Sequence, residues 1–149
     1  MIVAVGTDHA GFPLKAVVLQ TIASAGHAPL DCGAKEVIPG DDYPDYARLI
    51  AEAIGDRRAE RGILLCGSGV GASVAANKFR GIRAALCHDT FSARQGVEDD
   101  DMNVLCLGAR VIGPALAVEI TRAFLGASFS QAERHRRRVA KIQEFERRP

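Results

Sequence analysis

The sequence predicts an α/β protein built on a five-stranded parallel sheet with helices on both faces. Three observations carry this. Short apolar runs alternate with helix-periodic segments along all 149 residues. The strand-like runs are nearly continuous in apolar residues, as in strands buried on both faces. The residue types that carry chemistry cluster just after the strands, where open parallel sheets bind their ligands.

Taken in order, Ile2–Gly6 is a β-branched apolar run and the first strand. Leu14–Ala25 has helical spacing through Leu14, Val17, Val18 and Ile22, and Gly26 closes it as a C-cap. Ala28–Cys32 is a short second strand, followed by a polar loop, Gly33–Asp42, with a Pro39-Gly40 turn. Tyr46–Ala59 is helical, with Ile50 and Ile54 on one face. Ile63–Cys66 is the third strand and Gly71–Lys78 the third helix. Ile82–Cys87, helical Thr90–Glu98 and Val104–Gly108 complete the sheet pattern. Pro114–Leu125 starts with a proline where a helix tolerates one, and a basic helix runs from about Gln131 to Glu146. With no linker or repeat, residues 1–149 are expected to form a single domain.

A hydrophobic content of 48%, a charged content of 25% and a net charge of +1 are those of an ordinary globular chain. The near-neutral charge and 5% aromatic content argue against a nucleic-acid partner. No apolar stretch is long enough to span a bilayer, and the N-terminus lacks a signal-peptide pattern, so a cytoplasmic location is expected. Cys32, Cys87 and Cys106 are expected to be small buried apolar residues, with no disulfides and no zinc spacing among the four cysteines.

The richest segment is Cys66-Gly67-Ser68-Gly69-Val70-Gly71. A strand ends at a thiol, and a glycine-rich turn then opens a helix. Such a turn aims backbone N–H groups at one point, suiting an anion or an oxyanion, and would stabilise a thiolate. A purely structural tight turn is the alternative. The spacing is not that of a dinucleotide fingerprint, although Asp89 follows the next strand where a ribose-binding acid could lie. Ser68 is suited either to relaying a proton or to capping the helix. Asp8 and His9 follow the first strand: Asp8 caps the helix or faces a ligand, and His9 is better placed for ligand work than a surface histidine. Arg134 and Arg138, four residues apart, share a helix face and could grip a phosphate, or belong to a solvated basic helix. The acidic run Glu98-Asp99-Asp100-Asp101 reads as a solvated helix end.

Together these segments resemble the ribose-5-phosphate isomerase B / galactose-6-phosphate isomerase family. The resemblance rests on Gly6-Thr7-Asp8-His9-Ala10-Gly11-Phe12, on Asp31-Cys32-Gly33 and Asp42-Tyr43-Pro44, and on the Cys66–Gly71 loop with Ala75-Ala76-Asn77-Lys78. Asn103-Val104-Leu105, Gly108-Ala109-Arg110 and Arg134-His135 extend it. It implies a Rossmann-like αβα sandwich with a C-terminal helix, and a homodimer or a tetramer of paired dimers, with active sites between subunits. It implies cofactor-free, metal-free aldose–ketose isomerisation of a sugar phosphate through a cis-enediolate, and a place in the pentose phosphate pathway. Ribose 5-phosphate is the first substrate expected. Cys66 would move the proton between C1 and C2 with Ser68 assisting, and the amides of Gly67, Gly69, Val70 and Gly71 would hold the enediolate oxygens. His9, Arg134 and Arg138 would bind phosphate, helped by Arg110, while Asp8 and Tyr43 would contact the sugar.

The chain departs from that pattern at one place. Many family members carry histidine then asparagine where this chain has Asp99 and Asp100, and that histidine is assigned to opening the sugar ring. Asp99 is therefore the expected catalytic substitute, with His88 an alternative and Asp100 in the substrate-binding role. The departure equally suits an open-chain substrate, a tetrose or hexose phosphate, or a non-catalytic sugar-phosphate or nucleotide-binding module.

Overall fold

The computed structural model describes residues 1–147. Five strands, β1 (Ile2–Thr7), β2 (Ala28–Asp31), β3 (Arg61–Cys66), β4 (Ala84–Leu86) and β5 (Val104–Gly108), form one sheet in the order β2-β1-β3-β5-β4. Every pairing is parallel. The helices are α1 (Lys15–Ser24), α2 (Tyr43–Gly55), α3 (Val70–Ala76), α4 (Thr90–Asp100), α5 (Pro114–Gly126) and α6 (Glu133–Phe145).

The strands are buried on both sides because their alternate side chains fill two separate cores. Val3, Val5, Ile63, Leu65, Leu105 and Leu107 point to the face covered by α1, α4 and α5. Ala4, Leu64, Cys66, Val104 and Cys106 point to the face covered by α2 and α3. Each fully buried Leu or Ile here contributes on the order of 1.5–3 kcal/mol. Arg61 ties the far end of α5 to the sheet: its guanidinium donates to the Phe124 and Ala127 carbonyls and lies 5.2 Å from the Phe124 ring centroid. Among the described residues no helix is long and apolar enough to cross a membrane.

Several boundaries differ from the sequence reading, each for a local reason. α1 starts at Lys15 because Phe12–Leu14, with Pro13 inside, forms a 3-10 turn. α2 starts at Tyr43 with Pro44 in its first turn, where a missing N–H costs nothing. It ends at Gly55, as Arg57 adopts a left-handed φ of 58°. β4 keeps only three residues, which suits a sheet edge. Cys106 is fully buried in β5 and Cys87 is buried just past β4, as expected, whereas Cys32 is only half-buried.

The strand order sets a switch point in the sheet. The chain leaves β1 to place β2 on one side and returns with β3 on the other. Open parallel sheets bind their ligands outside the carboxyl ends of the strands at such a switch point, here β1 and β3. Asp8 follows β1 and Cys66 ends β3, so the topology brings them together.

Candidate active site

Cys66 is 8% exposed and Asp8 3% exposed. The Cys66 Sγ donates to Asp8 Oδ2 at 3.2 Å. The other carboxylate oxygen, Oδ1, accepts the Gly11 N–H at 2.8 Å, so Asp8 both caps the following turn and faces the thiol. Gly11 must be glycine, since a Cβ there would stand 2.2 Å from the Leu65 carbonyl carbon.

The loop after Cys66 is held from several sides. Gly69 has a φ of +81°, and a Cβ on it would come 2.6 Å from Leu86 Cδ1. Ser68 is exposed, and its Oγ accepts the Val70 N–H at 3.3 Å, while Gly69 is the N-cap of α3. The Tyr43 ring lies on Gly71, where a Cβ would stand 2.6 Å from Tyr43 Cζ. The Arg110 guanidinium lies beside Gly67, with Nη1 3.4 Å from where a Cβ would be. The Arg110 N–H donates to Gly67 O at 3.0 Å, and Ala109 N–H to Cys66 O at 2.9 Å. The first-turn amides of α3 lack intrahelical acceptors and open toward this site.

The thiol does not behave as the sequence predicts. Burial pushes its pKa above the ordinary value, and the hydrogen bond and negative charge of Asp8 push it further. The Gly67 and Gly69 amides pull the other way without winning. The expected stabilisation of a thiolate by the loop is thus outweighed, and the thiol keeps its proton with its acceptor in place. Asp8→Asn removes the charge that opposes ionisation, so the thiol pKa should fall. Iodoacetamide should then alkylate Cys66 faster in the variant than in the parent at a fixed pH below the thiol pKa. An unchanged rate-versus-pH curve would show that Asp8 does not control the thiol.

His9 and the polar loop before α2 make a second cluster. Asp41 Oδ1 accepts the His9 N–H at 2.9 Å and faces His9 Nδ1 at 2.6 Å, while Asp41 Oδ2 accepts the Tyr46 hydroxyl at 2.8 Å. Burial raises the Asp41 pKa, but the His9 amide, His9 ring and Tyr46 hydroxyl outweigh it and hold the carboxyl below its usual range. Tyr46 is pushed up to about 12 by burial and by Asp41, so it stays a donor. Asp8, His9 and Asp41 present ligand atoms within 4.8 Å of one another. Their hydrogen bonds to Gly11, Cys66 and Tyr46 make them a proton-bearing network. Sequence reasoning missed Asp41 and Tyr46, because nothing in the loop's composition shows that it folds back over β1.

The remaining expected residues fall elsewhere. Asp89 caps α4 by accepting the Ser92 N–H at 2.6 Å, which replaces the ribose-binding reading. His88 Nε2 accepts the Gly108 N–H at 2.9 Å, and burial lowers its pKa, so it is a neutral structural group rather than a ring-opening acid. Asp99 and Asp100 end α4, which runs back from the carboxyl edge of the sheet, and so lie at the amino edge. Asp99 Oδ2 accepts from Gln95 at 2.7 Å and Oδ1 lies 3.4 Å from His135 Nδ1, which also meets Ser130 Oγ at 2.6 Å. Arg134 and Arg138 are exposed on α6 beside that cluster. A cavity of about 350 Å³, lined by Asn77, Arg83, Asp100, Met102, Ile142 and Glu146 among others, lies at the same amino edge. Within one protomer the basic face of α6 and the Cys66 loop are therefore separated by the length of a strand, roughly 16 Å for β5.

Known proteins match this arrangement over nearly the whole chain. The family described as Ribose/Galactose Isomerase matches residues 3–142. The ribose-5-phosphate isomerase B of Escherichia coli K12 is 42% identical over 146 residues, 98% of this chain and 97% of that one. The D-erythrulose-4-phosphate isomerase of Pectobacterium atrosepticum is 44% identical over 127 residues, 85% of this chain and 84% of that one. The structure of the Trypanosoma brucei type B ribose 5-phosphate isomerase superposes with a TM-score of 0.93 at 42% identity, covering 97% of both chains. The chain belongs to the ribose/galactose isomerase family.

Proposed function

We propose that this chain is a cofactor-free aldose–ketose isomerase that interconverts D-ribose 5-phosphate and D-ribulose 5-phosphate. The observation that carries this reading is the buried Cys66–Asp8 pair at the sheet's switch point, facing the glycine-loop amides. An open-chain aldose needs one group to carry a proton from C2 to C1 and donors for the charge that appears on O1 and O2. Cys66 first passes its proton to Asp8, and its thiolate takes the proton from C2. The amides of Gly67, Gly69, Val70 and Gly71 hold the enediolate. Cys66 then returns a proton to C1, the hydroxyl proton moves from O2 to O1 beside Ser68, and Asp8 hands its proton back to the sulfur. Tyr43 borders the sugar, and Arg110 covers the loop.

The phosphate falls to Arg134 and Arg138 of a second copy, because their own protomer holds them at the opposite edge. With α6 come Asp99, which braces His135 and through it the helix, and exposed Asp100. Val70 and Val74 on α3, with Phe91 at the start of α4, are exposed beside the Cys66 loop, as a surface covered by a partner would be. The expected assembly is a homodimer with shared sites.

Proton NMR of the protein with D-ribulose 5-phosphate in D2O tests the reaction. This ketose cannot close a five-membered ring through its phosphorylated O5. The expected product is ribose 5-phosphate carrying deuterium at C2. Binding without exchange or conversion would overturn the isomerase reading in favour of a sugar-phosphate binding module.

A further inference from the structure

The phosphate grip described above depends on where α6 stands, and little of α6 is held by its own packing. Only His135 and Val139 of the helix are buried. Its first turn has no side-chain cap, since the N-cap residue is Ala132. Beyond its far end, Glu146 Oε1 accepts the Gly81 N–H at 3.1 Å. The near end, which carries the arginines, is held at the His135 ring.

Two other segments build the seat of that ring. Ser130, in the connection from α5, has its Oγ 2.6 Å from His135 Nδ1, and Asp99, in the last turn of α4, has its Oδ1 3.4 Å from the same nitrogen. Both residues are themselves fixed. Asp99 Oδ2 accepts from Gln95 Nε2 at 2.7 Å. The Ser130 N–H donates to the Glu98 carbonyl at 2.9 Å, and its Oγ also accepts the Ala132 N–H at 3.3 Å. A carboxylate only accepts, so Nδ1 carries the proton and directs it into this seat. Arg134 stands just before His135 and Arg138 one turn after it, so any movement of the ring carries both guanidiniums with it. Arg136 is spent on Glu133 at 2.9 Å, whereas Arg134 and Arg138 are exposed.

We propose that Asp99 and Ser130 are positioning residues, which seat His135 and thereby set where α6 presents Arg134 and Arg138 to the substrate phosphate in the neighbouring copy's site. The proposal rests on the isomerase reading and its shared site, and assigns what aligns the phosphate grip. Two guanidiniums clamp a phosphate strongly only when both meet it together. A displacement of about 1 Å is enough to weaken such a clamp. In this role Asp99 moves no proton, which separates it from an acid–base group.

The test uses inorganic phosphate as the probe, with affinity read by calorimetry, alongside steady-state kinetics on ribose 5-phosphate. Asp99→Asn and Ser130→Ala should each weaken phosphate binding about fivefold, the scale of one lost polar contact. Each should raise KM by a similar factor, with kcat falling less than KM rises. Ser130→Thr restores the hydroxyl and should recover most of the loss. Phosphate affinity unchanged in both variants would overturn the proposal. So would a 10²-fold fall in kcat of Asp99→Asn with phosphate affinity kept, since that loss belongs to a proton-transfer group. A parent that does not bind phosphate would overturn the grip itself. The phosphate measurement needs no turnover, so a parent that binds phosphate but neither converts ribose 5-phosphate nor exchanges its carbon-bound protons would overturn the isomerase reading alone.

Discussion

Cys66→Ala should abolish isomerisation, lowering kcat for ribose 5-phosphate by about 10²-fold to 10⁴-fold, the range for loss of a positioned acid–base group. Substrate affinity should survive, since the loop amides and the arginines remain. Solvent exchange at the sugar carbons should vanish with turnover, because the same sulfur carries the proton in both. Turnover within a few-fold of the parent would move the carbon chemistry away from this residue.

Cys66→Ser is the more searching variant. It keeps the shape of the strand end and a hydrogen bond to Asp8, so folding and binding should match the parent. A serine hydroxyl is far less acidic than a thiol, and the Asp8 carboxylate is too weak a base to ionise it. The serine variant should therefore sit close to the alanine variant in rate. The resting enzyme holds its reactive group protonated, as burial and Asp8 dictate. The cost of ionisation is met during the reaction, and that is affordable for a thiol and not for an alcohol.

The strands were legible because both faces of the sheet are buried, which makes runs such as Gly62-Ile63-Leu64-Leu65 apolar throughout. The helix faces followed from spacing alone. Strand order was not legible: no local pattern shows that β5 inserts between β3 and β4, or that β1 and β3 are neighbours. That adjacency sets Asp8 against Cys66, where its hydrogen bond and charge add to burial in raising the thiol pKa. Asp41 was hidden for a related reason, since its partners lie 32 and 5 residues away and are reached by a loop without periodicity. Arg134 and Arg138 were correctly placed on one helix face, but only the packing of α6 against α4 shows which edge of the sheet they occupy.

That last placement has the largest consequence for the assembly. On the proposed reading, Arg134→Ala combined with Arg138→Ala should reduce kcat/KM for ribose 5-phosphate strongly, because the two guanidiniums proposed to grip the phosphate dianion are lost together. This double variant and Cys66→Ala should each be nearly inactive alone. Mixed, unfolded and refolded together, they should regain activity. In a two-fold dimer each site takes Cys66 from one protomer and the arginines from the other. A mixed dimer then has one site carrying both lesions and one site carrying neither. Random pairing makes half the dimers mixed, so about a quarter of all sites should be intact. Recovery near that fraction would show that α6 completes the site of the neighbouring copy. A refolded mixture no more active than its parts would place the arginines and the thiol in one protomer's site, against the separation that the course of α4 and α6 imposes.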